Sequence, residues 1–185
     1  MRIVAGSHRG RRLETPADDR IRPTSDRIRE SLFNILHHKL EGFSGKRVLD
    51  GFAGTGALGF EALSRGAAAA LFVDKDRDAL ALCRRNAAAL GLVGQSDFRL
   101  ADLTKPPQSV QAYDLILLDP PYGLGLAGTA LAALAAAGWL VPRAVAAIEA
   151  DRSQPESIPE GFATIDSRDY GRTRIVLARW DVSAG

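Results

Sequence analysis

Asp50, Asp74, Asp102 and Asp119 each close a run of strand-forming residues, and acids so placed are the first candidates for chemistry in this chain. A carboxylate at the mouth of a buried strand can accept hydrogen bonds from a ligand, balance a cation or take a proton. It can also do no more than cap the helix that follows. Asp50 is singled out by its neighbours, which read Asp50-Gly51-Phe52-Ala53-Gly54-Thr55-Gly56 and run on to Gly59. Glycine lacks a Cβ and tolerates positive φ, so a strand, a glycine turn and a helix start let backbone N–H groups approach a ligand closely. Gly54-x-Gly56-x-x-Gly59 also satisfies the dinucleotide-binding pattern, with Asp74 twenty residues after Gly54 as a ribose partner. An NAD(P)-dependent oxidoreductase is therefore one reading. Against it, the dinucleotide finger puts its first glycine at the strand end, whereas here an acid stands four residues earlier. A carboxylate in that place suits a cationic ligand.

The second constellation is Leu117-Leu118-Asp119-Pro120-Pro121-Tyr122, an apolar strand that ends in Asp-Pro-Pro-Tyr. Two prolines fix φ and donate no N–H, so the turn is rigid and the Pro120 carbonyl is left to accept from a ligand. Asp119 and that carbonyl could both accept from an exocyclic amine while Tyr122 stacks on the base that carries it. Neither the serines nor His8, His37 and His38 fall into a hydrolytic or metal-ligand arrangement, so no metal is expected. Cys83 is the only cysteine and sits among Leu80, Ala81 and Leu82, which reads as a packed thiol.

These residues need a scaffold, and the chain spells one out as alternating strands and helices. The pattern predicts a strand over 47–52, a helix over 57–65, a strand over 70–74, a helix over 77–90, and strands over 98–101 and 113–119. That rhythm implies a mostly parallel α/β sheet with helices on both faces and ligands at the carboxyl ends of the strands. An alanine-rich helix over 128–137 and a strand over 144–149 follow. Residues 162–166 and 173–180 then read as an antiparallel C-terminal hairpin joined across 168–172. Ahead of the sheet, Ser25 is a good N-cap for a helix whose apolar positions run from Ile28 to Leu40, with Gly42 as its stop.

The 185 residues carry a net charge of only +2, but the first thirty hold eight arginines against five acids. Residues 1–23 are predicted to be a basic arm, a short hairpin outside the core, preceding a single domain over 24–185. Arg2, Arg9, Arg11 and Arg12 on the arm, with Arg22, Arg27 and Arg29 around the first helix, are candidate phosphate contacts; a solvated surface strand would need the same residues. No apolar run approaches the roughly 18 residues a membrane helix needs, and no signal-peptide core follows Met1, so a cytoplasmic protein is expected.

Asp50-x-Phe52-x-Gly54-x-Gly56 resembles motif I of the class I methyltransferases. Together with Arg2-Ile3-Val4-Ala5-Gly6, Arg9-Gly10-Arg11, the run from Arg22 to Asn34, Val48 to Arg65, Asp119 to Tyr122 and Tyr170-Gly171, nearly the whole chain resembles the bacterial RsmD-type methyltransferases. The resemblance implies a class I Rossmann-like sheet and transfer of a methyl group from S-adenosylmethionine, with S-adenosylhomocysteine as product, to N2 of a guanine in 16S ribosomal RNA, guanine 966 in the family's naming. It implies that Asp50, Ala53 and Gly54 line the methionine part of the cofactor, that Phe52 and Gly56 also belong to the cofactor site, that Asp74 accepts from its ribose, and that Asp102 bonds its adenine. Asp119, Pro120 and Tyr122 would be catalytic. The partner would be the small ribosomal subunit or an assembly intermediate, met by a monomer. Two departures stand out: Gly51 replaces a usually larger residue, and Asp74 stands where Glu is frequent. An adenine-N6 DNA methyltransferase shares the tetrapeptide, but a chain of this length leaves no evident room for a separate target-recognition domain.

Overall fold

A computed structural model of the chain describes residues 1–16, 25–121 and 123–181, which leaves Arg22 and Tyr122 outside the described residues. Strands β1 (Arg47–Gly51), β2 (Ala69–Asp74), β3 (Ser96–Leu100), β4 (Tyr113–Leu118), β5 (Leu140–Asp151), β6 (Phe162–Tyr170) and β7 (Thr173–Trp180) form one seven-stranded sheet in the order β3-β2-β1-β4-β5-β7-β6. The first five are mutually parallel, and β7 is the reversed strand, antiparallel to both β5 and β6. The chain therefore reverses its filling direction at β1, next to β4, and such a switch point opens a crevice at the carboxyl ends.

Side chains alternate across the sheet. Val48, Ala70, Phe72, Leu115, Leu117, Val145 and Ala147 face a core shared with helices α1 (Asp26–Lys39), α2 (Ala57–Ser64) and α3 (Arg77–Leu90). Leu49, Leu71, Val73, Ile116, Leu118 and Ile148 face the other core, covered by α4 (Leu126–Ala136) and by Leu103 and Trp139. Helices cover both faces as expected, three on one and one on the other among the described residues. No helix intervenes between β3 and β4. Ser25 caps α1 by accepting from the Ile28 amide, and Asp76 caps α3 through the amides of Asp78 and Ala79.

Two strands run longer than the sequence pattern indicates. β5 begins before Pro142, because an irregularity opposite Tyr113 and Leu115 absorbs both the proline and Arg143, whose φ is +66°. β6 extends to Tyr170, so its hairpin turns tightly on Gly171 and Arg172 rather than across 168–172.

The arm pairs as the predicted hairpin, through Arg2 and Arg12, but it is not an appendage. Ile3 is 1% exposed and Leu13 5%, both within the first core. The buried Glu61 carboxylate accepts from the amides of Val4 and Ala5, and Gly6 lies so close to the Ser64 carbonyl that any Cβ there would collide with it. Asn86 ties the other strand down, accepting from the Glu14 amide and donating to the Glu14 and Thr55 carbonyls. One side chain thus links the arm to the glycine turn. Arginines interspersed with a few apolar residues look like a solvated strand from sequence alone; what the string cannot show is which face is buried, and against what.

Candidate active site

The glycine turn is held by acids rather than left open by glycines. Gly56 caps α2 with no side chain, and Asp50 supplies the missing cap from the end of β1, its Oδ2 accepting from the Gly59 amide at 2.8 Å. Asp74 Oδ2 accepts from the Gly54 amide at 2.9 Å, and its Oδ1 from the Asp76 amide at 3.0 Å. Helix capping by strand-end acids is therefore real here, and it uses part of each carboxylate's accepting capacity. The glycines divide the remaining work. A Cβ on Gly56 would strike Phe60 and Cys83, and one on Gly59 would strike Phe72, so both permit close packing inward. Only Gly54, at φ +53°, borders open space. Phe52 holds φ +59°, rare for an aromatic residue, and this bends the chain sharply out of β1. Gly51 is small because the side chains of Leu103 and Leu118 fill the space its Cβ would take.

Strand parity gathers four carboxylates on one face. Asp50 and Asp74 extend the rows of Val48 and Phe72, and Asp119 and Glu149 extend those of Leu117 and Ala147, all toward the core under α1, α2 and α3. Registers Gly51 with Leu118 and Leu118 with Ile148 set the ends of β1 and β4 level with Ile148 on β5, so Asp119 stands between its two acidic neighbours. Asp50 is 2% exposed and Glu149 5%. Burial, opposed by the Gly59 amide and reinforced by Asp74, pushes the Asp50 carboxyl up to about 8. Burial, then repulsion from Glu149 and Asp50, raises Asp119 well above the usual carboxylate range. Glu149 closes the strand predicted over 144–149 but drew no role from sequence, because only register with β4 brings it beside Asp119; the observed strand runs on to Asp151.

A group whose folded-state pKa is raised contributes its stability below the unfolded value and loses it as pH rises through the folded one. With Asp50 near 8 against roughly 3.9 unfolded, the unliganded protein is expected to lose thermal stability progressively between about pH 4 and 8. Scanning calorimetry across that window checks it; the Asp50→Asn variant should show a flatter profile.

The other candidate residues fall at the same end of the sheet. Asp102 follows β3, exposed, one oxygen accepting from the amide and hydroxyl of Thr104, which hold its carboxyl below the usual range. Ala53 and Pro120 are buried beside Phe52 and Asp119 in sequence. Burial raises the Cys83 thiol, with Asp50 and Asp74 adding to the effect, so it is no nucleophile. A groove of about 500 Å³ between β3 and residues 107–111 opens beside Leu71 and Arg99, on the opposite face from the four acids.

The arginines do not act as one patch. Arg29, expected among the phosphate contacts, is 1% exposed; it donates to the Arg2 carbonyl and to Asp26, and is corrected to a clamp between α1 and the arm. Arg2 pairs with Asp26, and Arg11 donates to the Ala89 carbonyl near the end of α3. Arg9, Arg12 and Arg27 are exposed and make no ion pair among the described residues. No helix among the described residues is long and apolar enough to cross a membrane.

The sequence family described as conserved hypothetical protein 95 matches residues 1–179. Ribosomal RNA small subunit methyltransferase D of Haemophilus influenzae is 35% identical over 178 residues, covering 92% of this chain and 89% of that one. Its Escherichia coli counterpart is 35% identical over 151 residues, or 82% of this chain and 75% of the relative. Among solved structures, yhhF of Escherichia coli superposes with a TM-score of 0.84 at 30% identity over 98% of both chains. A Salinibacter ruber RNA methyltransferase solved with S-adenosyl-L-homocysteine shares the fold, with a TM-score of 0.65 at 16% identity.

Proposed function

Since the chain belongs to the RsmD family of S-adenosylmethionine-dependent ribosomal RNA methyltransferases, we propose that it methylates the exocyclic N2 of a single guanine of 16S ribosomal RNA, guanine 966 in the family's naming. The observation that carries the reading is the row of carboxylates at the ends of β1, β2 and β4 and alongside them on β5, beside a rigid Asp-Pro-Pro turn. A donor bearing a sulfonium and an ammonium fits that row, because positive charge relieves the repulsion and desolvation that raise Asp50 and Asp119. The dinucleotide alternative leaves that row, and the Asp-Pro-Pro-Tyr turn, without a task.

S-adenosylmethionine supplies the electrophilic methyl group and departs as S-adenosylhomocysteine. Asp50, Ala53 and Gly54 hold its methionine part, with Phe52 and Gly56 shaping the turn, Asp74 accepts from the ribose and Asp102 from the adenine. Asp119 and the Pro120 carbonyl accept the two amine hydrogens, which turns the N2 lone pair toward the methyl carbon. As the N–C bond forms, the amine gains positive charge, and Asp119 takes the proton it sheds. Tyr122 stacks on the base. The substrate is taken to be the small subunit or an assembly intermediate, met in the cytoplasm by a monomer.

Mass mapping of 16S ribosomal RNA from cells lacking this protein tests the reading. One guanine should lose its N2 methyl group and regain it on complementation; an unchanged methylation map overturns the assignment.

Arg9 and Arg12 project from an arm that is anchored to the methyltransferase core, so their phosphate contacts would be rigidly placed. Replacing both with alanine should reduce the slope of log affinity for RNA against log salt by about 1 to 2, with S-adenosylmethionine affinity unchanged. Deleting residues 1–12 would not isolate these contacts, because it would also remove Ile3 from the core. An unaltered salt slope would leave the arm a purely structural element.

A further inference from the structure

Glu149 is the one member of the carboxylate row to which neither the glycine turn nor the Asp-Pro-Pro-Tyr motif assigns a task. It lies on β5, 5% exposed, with Ile148 in register with Leu118, so its carboxylate and that of Asp119 extend from adjacent strands on the same face. Repulsion from Glu149 is the second cause of the raised Asp119 carboxyl, which places the two groups within strong electrostatic reach. Two acceptors side by side match a base edge with two donors side by side. Guanine has that edge, N1–H next to the N2 amine, whereas adenine offers a donor at N6 beside an acceptor at N1.

We propose that Glu149 accepts a hydrogen bond from guanine N1–H while Asp119 accepts from the N2 amine, so that Glu149 selects guanine over bases that carry a lone pair at the neighbouring ring nitrogen. The inference rests on the proposed guanine-N2 reading and deepens it. It also gives Asp-Pro-Pro-Tyr, a turn that suits any exocyclic amine, a partner that tells one purine from another. A carboxylate has lone pairs for more than one donor, so other contacts made by Glu149 are compatible with this role. A ring nitrogen with a lone pair in place of N1–H would face a buried acceptor and gain nothing for the lost water. A polar group left buried without a partner is what makes such discrimination steep.

The test compares guanine with 2-aminopurine at the methylated position of small-subunit RNA, free or reconstituted into particles. 2-Aminopurine keeps the reacting amine but has an acceptor at N1. Wild-type protein should prefer guanine by about 10- to 100-fold in kcat/KM. Glu149→Gln, whose amide can donate to that acceptor, should lower activity on guanine and raise it on 2-aminopurine, which collapses the ratio. A purely structural role would depress both substrates alike, and a ratio unchanged in Glu149→Gln overturns the inference while leaving the guanine reading intact. If Glu149→Gln fails to fold, Glu149→Asp, which shortens the reach but keeps the charge, should narrow the same ratio, and an unchanged ratio there is equally fatal. Methylation of neither base by the wild-type protein defeats the guanine-N2 reading, and the inference with it.

Discussion

Asp119→Ala is expected to lower turnover by at least about a hundredfold while S-adenosylhomocysteine binds within a few-fold of wild type. The expectation follows from where the carboxylate is held. Leu117 and Leu118 are fully buried in the two cores, and Pro120 fixes the turn after the aspartate, so its approach to a ligand is set by the strand rather than by a mobile loop. With a raised carboxyl, Asp119 must ionise before it can take the proton that the amine sheds, so kcat/KM should climb as pH rises through that raised value and then level off. Cationic S-adenosylmethionine favours the ionised form, so the same limb in kcat should sit at lower pH. Asn separates the two roles, since its carbonyl still accepts a hydrogen bond but takes no proton. Near-normal turnover in Asp119→Asn, with the acid limb gone, would mean that orientation dominates; a loss equal to that of Ala would make proton transfer the larger part. Wild-type rates in Asp119→Ala at saturating cofactor would remove this turn from the active site.

The fold was largely legible because each element announces itself locally. The 3.6-residue spacing in α1, the apolar run from Leu115 to Leu118 in β4, and glycines at the turns all act within a few residues of one another. What failed to show was non-local. Nothing in Met1 to Leu13 indicates that Glu61, buried in an otherwise apolar helix, reaches back to bind two of its amides. Nothing in the string around Arg29 says that its guanidinium turns inward, because exposed and buried arginines look alike in sequence and only the partner decides. Glu149 shows the converse: the residue type is conspicuous, but its meaning comes from register with β4, a relation between segments about thirty residues apart. Even the glycines were legible only in outline. Their pattern marks a turn, yet which of them yields room to a ligand and which to Phe60, Cys83 or Phe72 depends on the packing behind the turn.

Asp74→Ala should weaken cofactor binding by about ten- to a hundredfold, the scale of a lost charge-assisted hydrogen bond. Its structural position gives that loss two sources. Asp74 Oδ2 anchors the Gly54 amide, and Oδ1 anchors Asp76 at the start of α3, so alanine frees the glycine turn as well as deleting the proposed ribose acceptor. A comparison of S-adenosylhomocysteine with its 2′-deoxy analogue by calorimetry separates them. If the carboxylate accepts from the ribose, wild-type protein distinguishes the two ligands and Asp74→Ala does not, because the group that senses the hydroxyl is gone. If Asp74 only braces the turn, the variant weakens both ligands equally and keeps whatever discrimination the wild type has. Asp74→Glu is informative in the same experiment, since the longer acid retains the charge but cannot place its oxygens on both amides unchanged. Discrimination retained with overall affinity reduced several-fold is the expected result, and full wild-type affinity would show that neither amide anchor matters to the cofactor.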